Sequence, residues 1–193
     1  MHSWQSFSNT NSGSGTSWNT AYNSIQECIN SLENNVNGGE IWVKSGIYNP
    51  TTVPQWKSNV GKNGQIHKSF DMKEKIRIYG GFSGTETSRS QRDFASNPTY
   101  LSCNLGNNVY CNQLINAADN SLLDGFVLLE TQYQDITTRR RLAFSLTIQE
   151  ILSSTSGNSG GGIYSNSTTI KVVNSVFYAL FSSGKGMYFT SCS

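Results

Sequence analysis

The chain has 193 residues, of which 13% are charged, and its formal net charge is +2. Ser, Thr and Asn make up 66 residues and Gly another 18, a composition that is typical of turns and short strands and excludes a bundle of long helices. The near-neutral charge argues against nucleic acid as a partner, and no apolar stretch is long enough to span a membrane.

The first 17 residues are mostly Ser, Asn, Gly and Thr, and they predict a polar lead-in before a single domain over 18–193. After Trp18, apolar residues recur every three or four positions, at Ala21, Ile25, Cys28, Ile29 and Leu32. This spacing predicts a short helix that ends in the Asn- and Gly-rich run 34–39.

Short strand patterns follow the helix, and Gly, Asn or Ser separate most of them. We predict strands at 40–44, 69–72, 75–79, 99–102, 113–116, 121–129, 162–164, 168–173 and 187–190. We expect Gly80 and Gly81 to end the third strand, and the segment 49–68 to be a long loop. Such strands fit a sandwich, a barrel or a β-solenoid. The solenoid is favoured because no Asn-Gly or Asp-Gly pair lies between two matched strands.

Four cysteines are present, at 28, 103, 111 and 192, with no Cys-x-x-Cys pair, which argues against a zinc site. Cys103 and Cys111 flank a turn-like stretch and could form a local disulfide. The alternative is that all four are buried thiols.

Several segments, in this order and spacing, resemble the N-terminal part of extracellular right-handed parallel β-helix repeat proteins, the pectin-lyase-like surface proteins that include the polymorphic outer-membrane proteins. The segments are 13–21 (GSGTSWNTA), 38–48 (GGEIWVKSGIY), 69–70 (SF), 76–86 (IRIYGGFSGTE), 91–93 (QRD) and 123–126 (LDGF). Two later segments, 160–164 (GGGIY) and 174–177 (NSVF), resemble one of that family's later repeats. The resemblance implies an all-β fold, a right-handed parallel β-helix (solenoid) with a short N-terminal capping helix over 20–33.

Two features depart from that family pattern. Residues 130–157 interrupt it, either as a loop packed against the outside or as a mis-predicted coding segment, and their apolar run fits a strand or a helix. The chain also stops inside a repeat at Ser193. We therefore expect a fragment, or an open C-terminal end that self-associates or continues into further repeats.

A search for chemistry gives no catalytic residue, cofactor or metal ligand. Carboxylates predicted on strands or near their ends include Asp71, Asp124 and Glu130. Asp124 is interpreted as a turn residue, and Glu86 is expected to pair with Arg92.

Three residues are candidates for contacts with other molecules. Trp56 and Tyr133 lie outside the strand patterns and are candidate ligand contacts, and Asn166 begins an Asn-Ser-Thr glycosylation sequon.

The sequence and its resemblance therefore favour a non-enzymatic structural or adhesive module, extracellular or on the cell surface. This module could be glycosylated, could contact glycans and could stack end to end into a fibre. The alternatives are a fragment of a pectin-lyase-type polysaccharide-active enzyme and a carbohydrate-binding module.

Overall fold

A computed structural model describes residues 2–5, 13–55, 67–107, 109–111, 113–129, 144–146, 149–151, 163–164 and 170–178 of the chain. It contains one α-helix, α1 (Ile25–Ser31), and 3-10 turns that include Trp18–Thr20 and Arg89–Gln91. The strands are β1 (His2–Gln5), β2 (Gly39–Lys44), β3 (Gly46–Tyr48), β4 (Phe70–Asp71), β5 (Ile76–Phe82), β6 (Thr99–Ser102), β7 (Ile115–Asn116), β8 (Ser121–Asp124), β9 (Phe126–Leu129), β10 (Phe144–Leu146), β11 (Gln149–Ile151), β12 (Ile163–Tyr164), β13 (Ile170–Val173) and β14 (Ser175–Tyr178).

Helix α1 is shorter than predicted and is held by its N-cap and its apolar face. The Ser24 hydroxyl accepts a hydrogen bond from the backbone N–H of Glu27 at 3.1 Å, which satisfies one of the donors that every helix start leaves open. Cys28 and Ile29 are fully buried, as the three-and-four spacing predicts. The helix contacts strands β1, β2 and β4.

The strands form three short sheets. The six-stranded sheet has the order β1-β2-β5-β8-β13-β11, the five-stranded sheet β10-β14-β9-β6-β3, and the three-stranded sheet β12-β7-β4. Neighbouring strands are parallel, except that β10 pairs antiparallel with β14 and β11 pairs antiparallel with β13. The main core contains apolar residues from all three sheets and from α1.

The expected fold class, an all-β right-handed parallel β-helix with a capping helix, is wrong. The described part of the chain is a mixed arrangement of helical segments and several short sheets, with antiparallel as well as parallel pairing. Short apolar strands with small-residue corners are compatible with more than one architecture. The motifs that carried the resemblance encode local turns, and those turns do not fix how the sheets assemble.

Some predicted strand bounds are confirmed and others are wrong. Strand β6 has the predicted bounds, Thr99–Ser102. The Gly pair at 80–81 does not end β5, because the strand continues to Phe82 through an irregular register against β2. The predicted strand 121–129 is two strands that meet at Gly125, whose φ of +83° turns the chain between sheets.

The lead-in and the insert both contribute strands that the sequence analysis did not place. Residues 2–5 form β1, parallel to β2. The insert 130–157 contributes β10 and β11, so its apolar run takes the strand alternative where it is described. These two strands pair with β14 and β13. The predicted strand 187–190 lies outside the described residues.

Gln26 closes the edge of the three-stranded sheet with its side chain. Its Oε1 accepts from the backbone N–H of Asp71 at 2.8 Å, and its Nε2 donates to the carbonyl of Asp71 at 3.1 Å. The carboxamide thus bonds strand β4 as a neighbouring peptide group would, at a position where Gln26 is 3% exposed. A side chain of α1 thus supplies the hydrogen-bond partners that the backbone of β4 would otherwise lack on this side.

We expect Gln26→Leu to lower the free energy of unfolding by about 1–3 kcal/mol, because it leaves a backbone N–H and a carbonyl of β4 buried without partners. Urea unfolding measures the change. Asn30→Ala is the matched control, since it removes only the other bond of the Gln26 amide, to an exposed side chain. Equal losses in the two variants would contradict the edge-closing role.

Candidate functional site

Within the described ranges, polar contacts concentrate where residues 83–98, here called the strap, lie against the six-stranded sheet. The strap joins β5 to β6. Under it lies a small apolar cluster of Trp42, Tyr79 and Phe82, with Trp18 packed against it. The rings of Trp42 and Phe82 stack with centroids 4.9 Å apart and an angle of 8° between their planes.

The strap begins with a turn built around the carboxylate of Glu86. That carboxylate accepts from the backbone N–H groups of Ser83 (2.7 Å), Gly84 (3.0 Å) and Thr85 (3.0 Å). Burial raises the pKa of Glu86, but the hydrogen bonds outweigh burial, and the net pKa lies below its ordinary value. Glu86 is therefore a structural anion inside its own loop, and the predicted pair with Arg92 is wrong.

We expect Glu86→Gln to lower the free energy of unfolding by about 1–2 kcal/mol at pH 7, because a charged acceptor of several N–H groups is lost. A lowered folded-state pKa means that this contribution is present above the unfolded value of about 4.3 and is lost as the pH falls through the folded value. Urea unfolding of both proteins from pH 7 to pH 3 measures it, with the exposed Glu74→Gln as control. A difference between wild type and Glu86→Gln that persists unchanged at pH 3 would contradict this assignment.

Arg92 anchors the middle of the strap to a strand corner. Its Nη2 lies 2.6 Å from Oδ2 of Asp124, and the two side chains are 13% and 10% exposed. Its Nη1 also donates to the backbone carbonyl of Asp124 at 3.2 Å, and Asn174 donates to the Oδ1 of that residue at 2.9 Å. Asp124 does lie at a turn, but its carboxylate holds a buried ion pair across β5, β8 and the strap.

Arg89 makes a second tie at the outer edge of the strap. Its Nη1 lies 2.6 Å from Oε1 of Glu40 and donates to the Tyr79 hydroxyl at 2.8 Å. The guanidinium carbons of Arg89 and Arg92 lie 4.6 Å and 5.2 Å from the centroid of the Tyr79 ring. Burial and the neighbouring charge of Glu40 raise the pKa of Tyr79, so its hydroxyl stays protonated at neutral pH.

A surface pocket of about 540 Å³ lies between the strap and the sheet. It is lined by Glu40, Trp42, Thr87, Ser88, Arg89, Ser90 and Arg92. The three charged residues of this lining are all engaged in ion pairs, so the pocket offers hydroxyl groups and compensated charges. This lining suits contact with a neutral polar group.

The carboxylates considered for an enzyme do not form one site in the described residues. Asp71 lies in the three-stranded sheet and Asp124 in the six-stranded sheet, and each is paired with a cation, Lys73 and Arg92 respectively. Glu130 lies outside the described residues. Within the described ranges no group of three or more His, Cys, Asp or Glu side chains could hold a metal ion.

The structure joins Cys103 to Cys111 by a disulfide, which closes the loop after β6. The carbonyl of Cys103 also accepts from the backbone N–H of Cys111 at 2.9 Å. The other three site candidates from the sequence, Trp56, Tyr133 and Asn166, lie outside the described residues. Sequence reasoning named Glu86, Arg92 and Asp124 singly, but it missed the pairs Arg92–Asp124 and Arg89–Glu40. The local signal for the strap is two arginines in a polar segment between aromatic strands.

Comparison with known proteins gives no relative. No protein-family model, no curated protein and no solved structure matches the chain. Among the described residues, no helix is long and apolar enough to cross a membrane.

Proposed function

We propose that this chain is a non-enzymatic structural or adhesive module that works outside the cell or on its surface. The observation that carries the proposal is the use of the charged side chains under the strap. Arg92, Asp124 and Asn174 form one buried tie, and Arg89, Glu40 and Tyr79 form another. These charged side chains are of types that carry out catalysis in enzymes, but here they hold the strap against the six-stranded sheet. This use favours a scaffold that presents a surface to other molecules.

The disulfide supports the extracellular part of the proposal. Structural disulfides persist in oxidising compartments and are rare in the cytosol. Cys103 and Cys111 are 0% and 2% exposed, so the sulfurs serve packing and loop closure and are not placed for exchange with other thiols.

The test is adhesion of the full chain, with a parallel assay of its location. Display on a non-adherent cell should raise attachment to immobilised extracellular material above that of a cell displaying Arg92→Met, which loosens the strap. Alkylation before and after reduction, followed by mass spectrometry, should show Cys103 and Cys111 oxidised in protein taken from its own cells. Absence of attachment together with reduced cysteines would overturn the proposal.

Self-association through sheet edges belongs to the same proposal. In the described chain, β3 is the last strand of the five-stranded sheet and pairs only with β6. Mass in solution and electron microscopy test this part, because a uniform monomer of 21.2 kDa at high concentration would exclude it.

A carbohydrate-binding role is a second candidate, and the pocket under the strap favours it. Its hydroxyl groups and compensated charges suit a neutral sugar better than an ionic one. Titration of neutral oligosaccharides, followed by the fluorescence of the tryptophans, tests this candidate, and Ser90→Val should weaken any binding that uses the pocket.

A further inference from the structure

Three surface pockets lined by described residues differ in their charge. The pocket under the strap contains only charges that are paired, and the pocket around Glu33 and Val36 pairs Lys73 with Glu33 and Lys75 with Glu74. A third pocket, of about 340 Å³, is lined by Asn49, Pro50, Thr51, Lys68, Asn104, Leu105 and Gly106. Lys68 is the only charged residue in this lining within the described part of the chain.

Lys68 is half-buried, and among the described residues it makes no ion pair or hydrogen bond. A partly buried ammonium group has lost part of its hydration. An anion that enters its site therefore stabilises it more than it would a fully hydrated ammonium group. In the other two pockets the protein supplies that anion itself. In this pocket no described residue supplies an anion to Lys68, and a ligand can supply it.

Part of the lining of this pocket, Asn104 to Gly106, belongs to a constrained loop. The disulfide closes residues 103–111, and the backbone N–H of Leu105 donates to the carbonyl of Val109 at 2.8 Å. Asn49 fastens this loop to the preceding strand end, because its Nδ2 donates to the carbonyls of Ser102 (3.0 Å) and Asn104. The pocket therefore exists before a ligand binds, which reduces the entropy that binding must overcome.

The remaining lining indicates what the anion is attached to. The Oδ1 of Asn49 accepts no hydrogen bond within the described chain and can take a peptide N–H, as the Oε1 of Gln26 does at Asp71. Pro50 and Leu105 add apolar surface. One cation matches one carboxylate, and a volume at the small end of ligand pockets suits a single side chain with its flanking peptide groups.

We propose that this pocket binds the carboxylate of an acidic peptide segment of a partner protein. This inference deepens the adhesive part of the proposed function and rests on it, because it names the chemistry of the partner surface. The ligand places an aspartate or glutamate carboxylate against the Lys68 ammonium and a backbone N–H against Asn49.

The test uses the full chain and a fluorescein-labelled hexapeptide of alternating aspartate and glycine, followed by fluorescence anisotropy. The neutral comparison is the same peptide with asparagine in place of aspartate, and the sugar comparison is trigalacturonic acid. We expect the aspartate peptide alone to bind, with an affinity that falls as salt rises. Lys68→Met should weaken binding on the order of tenfold, which corresponds to one charge-assisted hydrogen bond.

Two variants control for charge and folding. Lys75→Met removes an exposed, paired lysine from a different pocket and should leave peptide affinity unchanged. Lys68→Arg keeps the positive charge and should retain most of the binding. Equal binding of the neutral peptide, binding of trigalacturonic acid alone, no binding at all, or an unchanged affinity in Lys68→Met would each overturn the proposal.

The cell-attachment assay separates this proposal from the function on which it rests. If the wild-type chain binds no peptide while attachment persists both in it and in Lys68→Met, the adhesive role stands and only the site is removed. Peptide binding without attachment would support the site and contradict the adhesive role.

Discussion

Arg92→Met should lower the free energy of unfolding by about 3–5 kcal/mol, the largest loss we expect from any single charged residue of the strap. The substitution keeps much of the apolar stem but removes the cation that compensates Asp124, whose side chain is 10% exposed. Asn174 still donates to that carboxylate and cannot neutralise it. Urea unfolding at pH 7, with the slope against denaturant as a check on two-state behaviour, measures the loss.

Arg89→Met is the matched control for this prediction. Arg89 comes from the same strap, makes an ion pair of the same 2.6 Å length and also lies over Tyr79, but its side chain is 46% exposed. Solvent screens that pair, so we expect a loss of about 1 kcal/mol, most of it from the ring contact. Similar losses in the two variants would contradict the claim that burial makes the Arg92 pair the anchor.

The double variant Arg92→Met with Asp124→Leu separates charge compensation from packing. Replacing both members of a buried pair by apolar side chains removes the uncompensated charge, so stability should recover by several kcal/mol relative to Arg92→Met alone. Failure to recover would mean that the hydrogen bonds of Arg92 to the backbone at the strand corner matter more than its charge.

Local features of the fold were predictable from the sequence, and its assembly was not. Strand β6 and the apolar face of α1 follow from alternation and from three-and-four spacing, which depend on neighbours in the chain. The fold class depends on which strand lies beside which, and short strands with small-residue corners carry little of that information. The apolar run of the insert fits a strand or a helix by its sequence. It forms strands where it pairs antiparallel with distant partners, β10 with β14 and β11 with β13.

The candidate site shows the same limit at the level of single side chains. Glu86 and Arg92 were expected to pair because they flank one segment, yet Arg92 contacts Asp124, 32 residues away, and Glu86 bonds its own loop. The pairing follows from the register that sets Tyr79 beside Asp124 on adjacent strands. Without knowledge of that register, the sequence does not indicate whether Arg92 pairs with Glu86 or with Asp124.

Gly81→Ala should detach the strap from the sheet and lower the free energy of unfolding by about 2–5 kcal/mol. Gly81 has a φ of +93°, a conformation that costs a residue with a side chain about 1–2 kcal/mol. A Cβ at this position would also lie 2.8 Å from the Cβ and 2.9 Å from the backbone nitrogen of Phe94 in the strap. Phe94 cannot yield by rotating its side chain, because the clash includes its backbone, so the strap itself must move.

Gly106→Ala isolates the conformational part of that cost. Gly106 has a φ of +88°, close to that of Gly81, but a Cβ there would meet no atom within 4 Å. We expect a loss of about 1–2 kcal/mol for Gly106→Ala, and the excess in Gly81→Ala measures how firmly the strap is held against the sheet. Hydrogen exchange should show the excess as faster exchange at Asp93, whose N–H donates to the carbonyl of Gly81 at 2.8 Å. Equal losses in the two variants would show that the strap can shift away from β5 at little cost. The strap would then not be rigid, and the proposed scaffold role would lose its support.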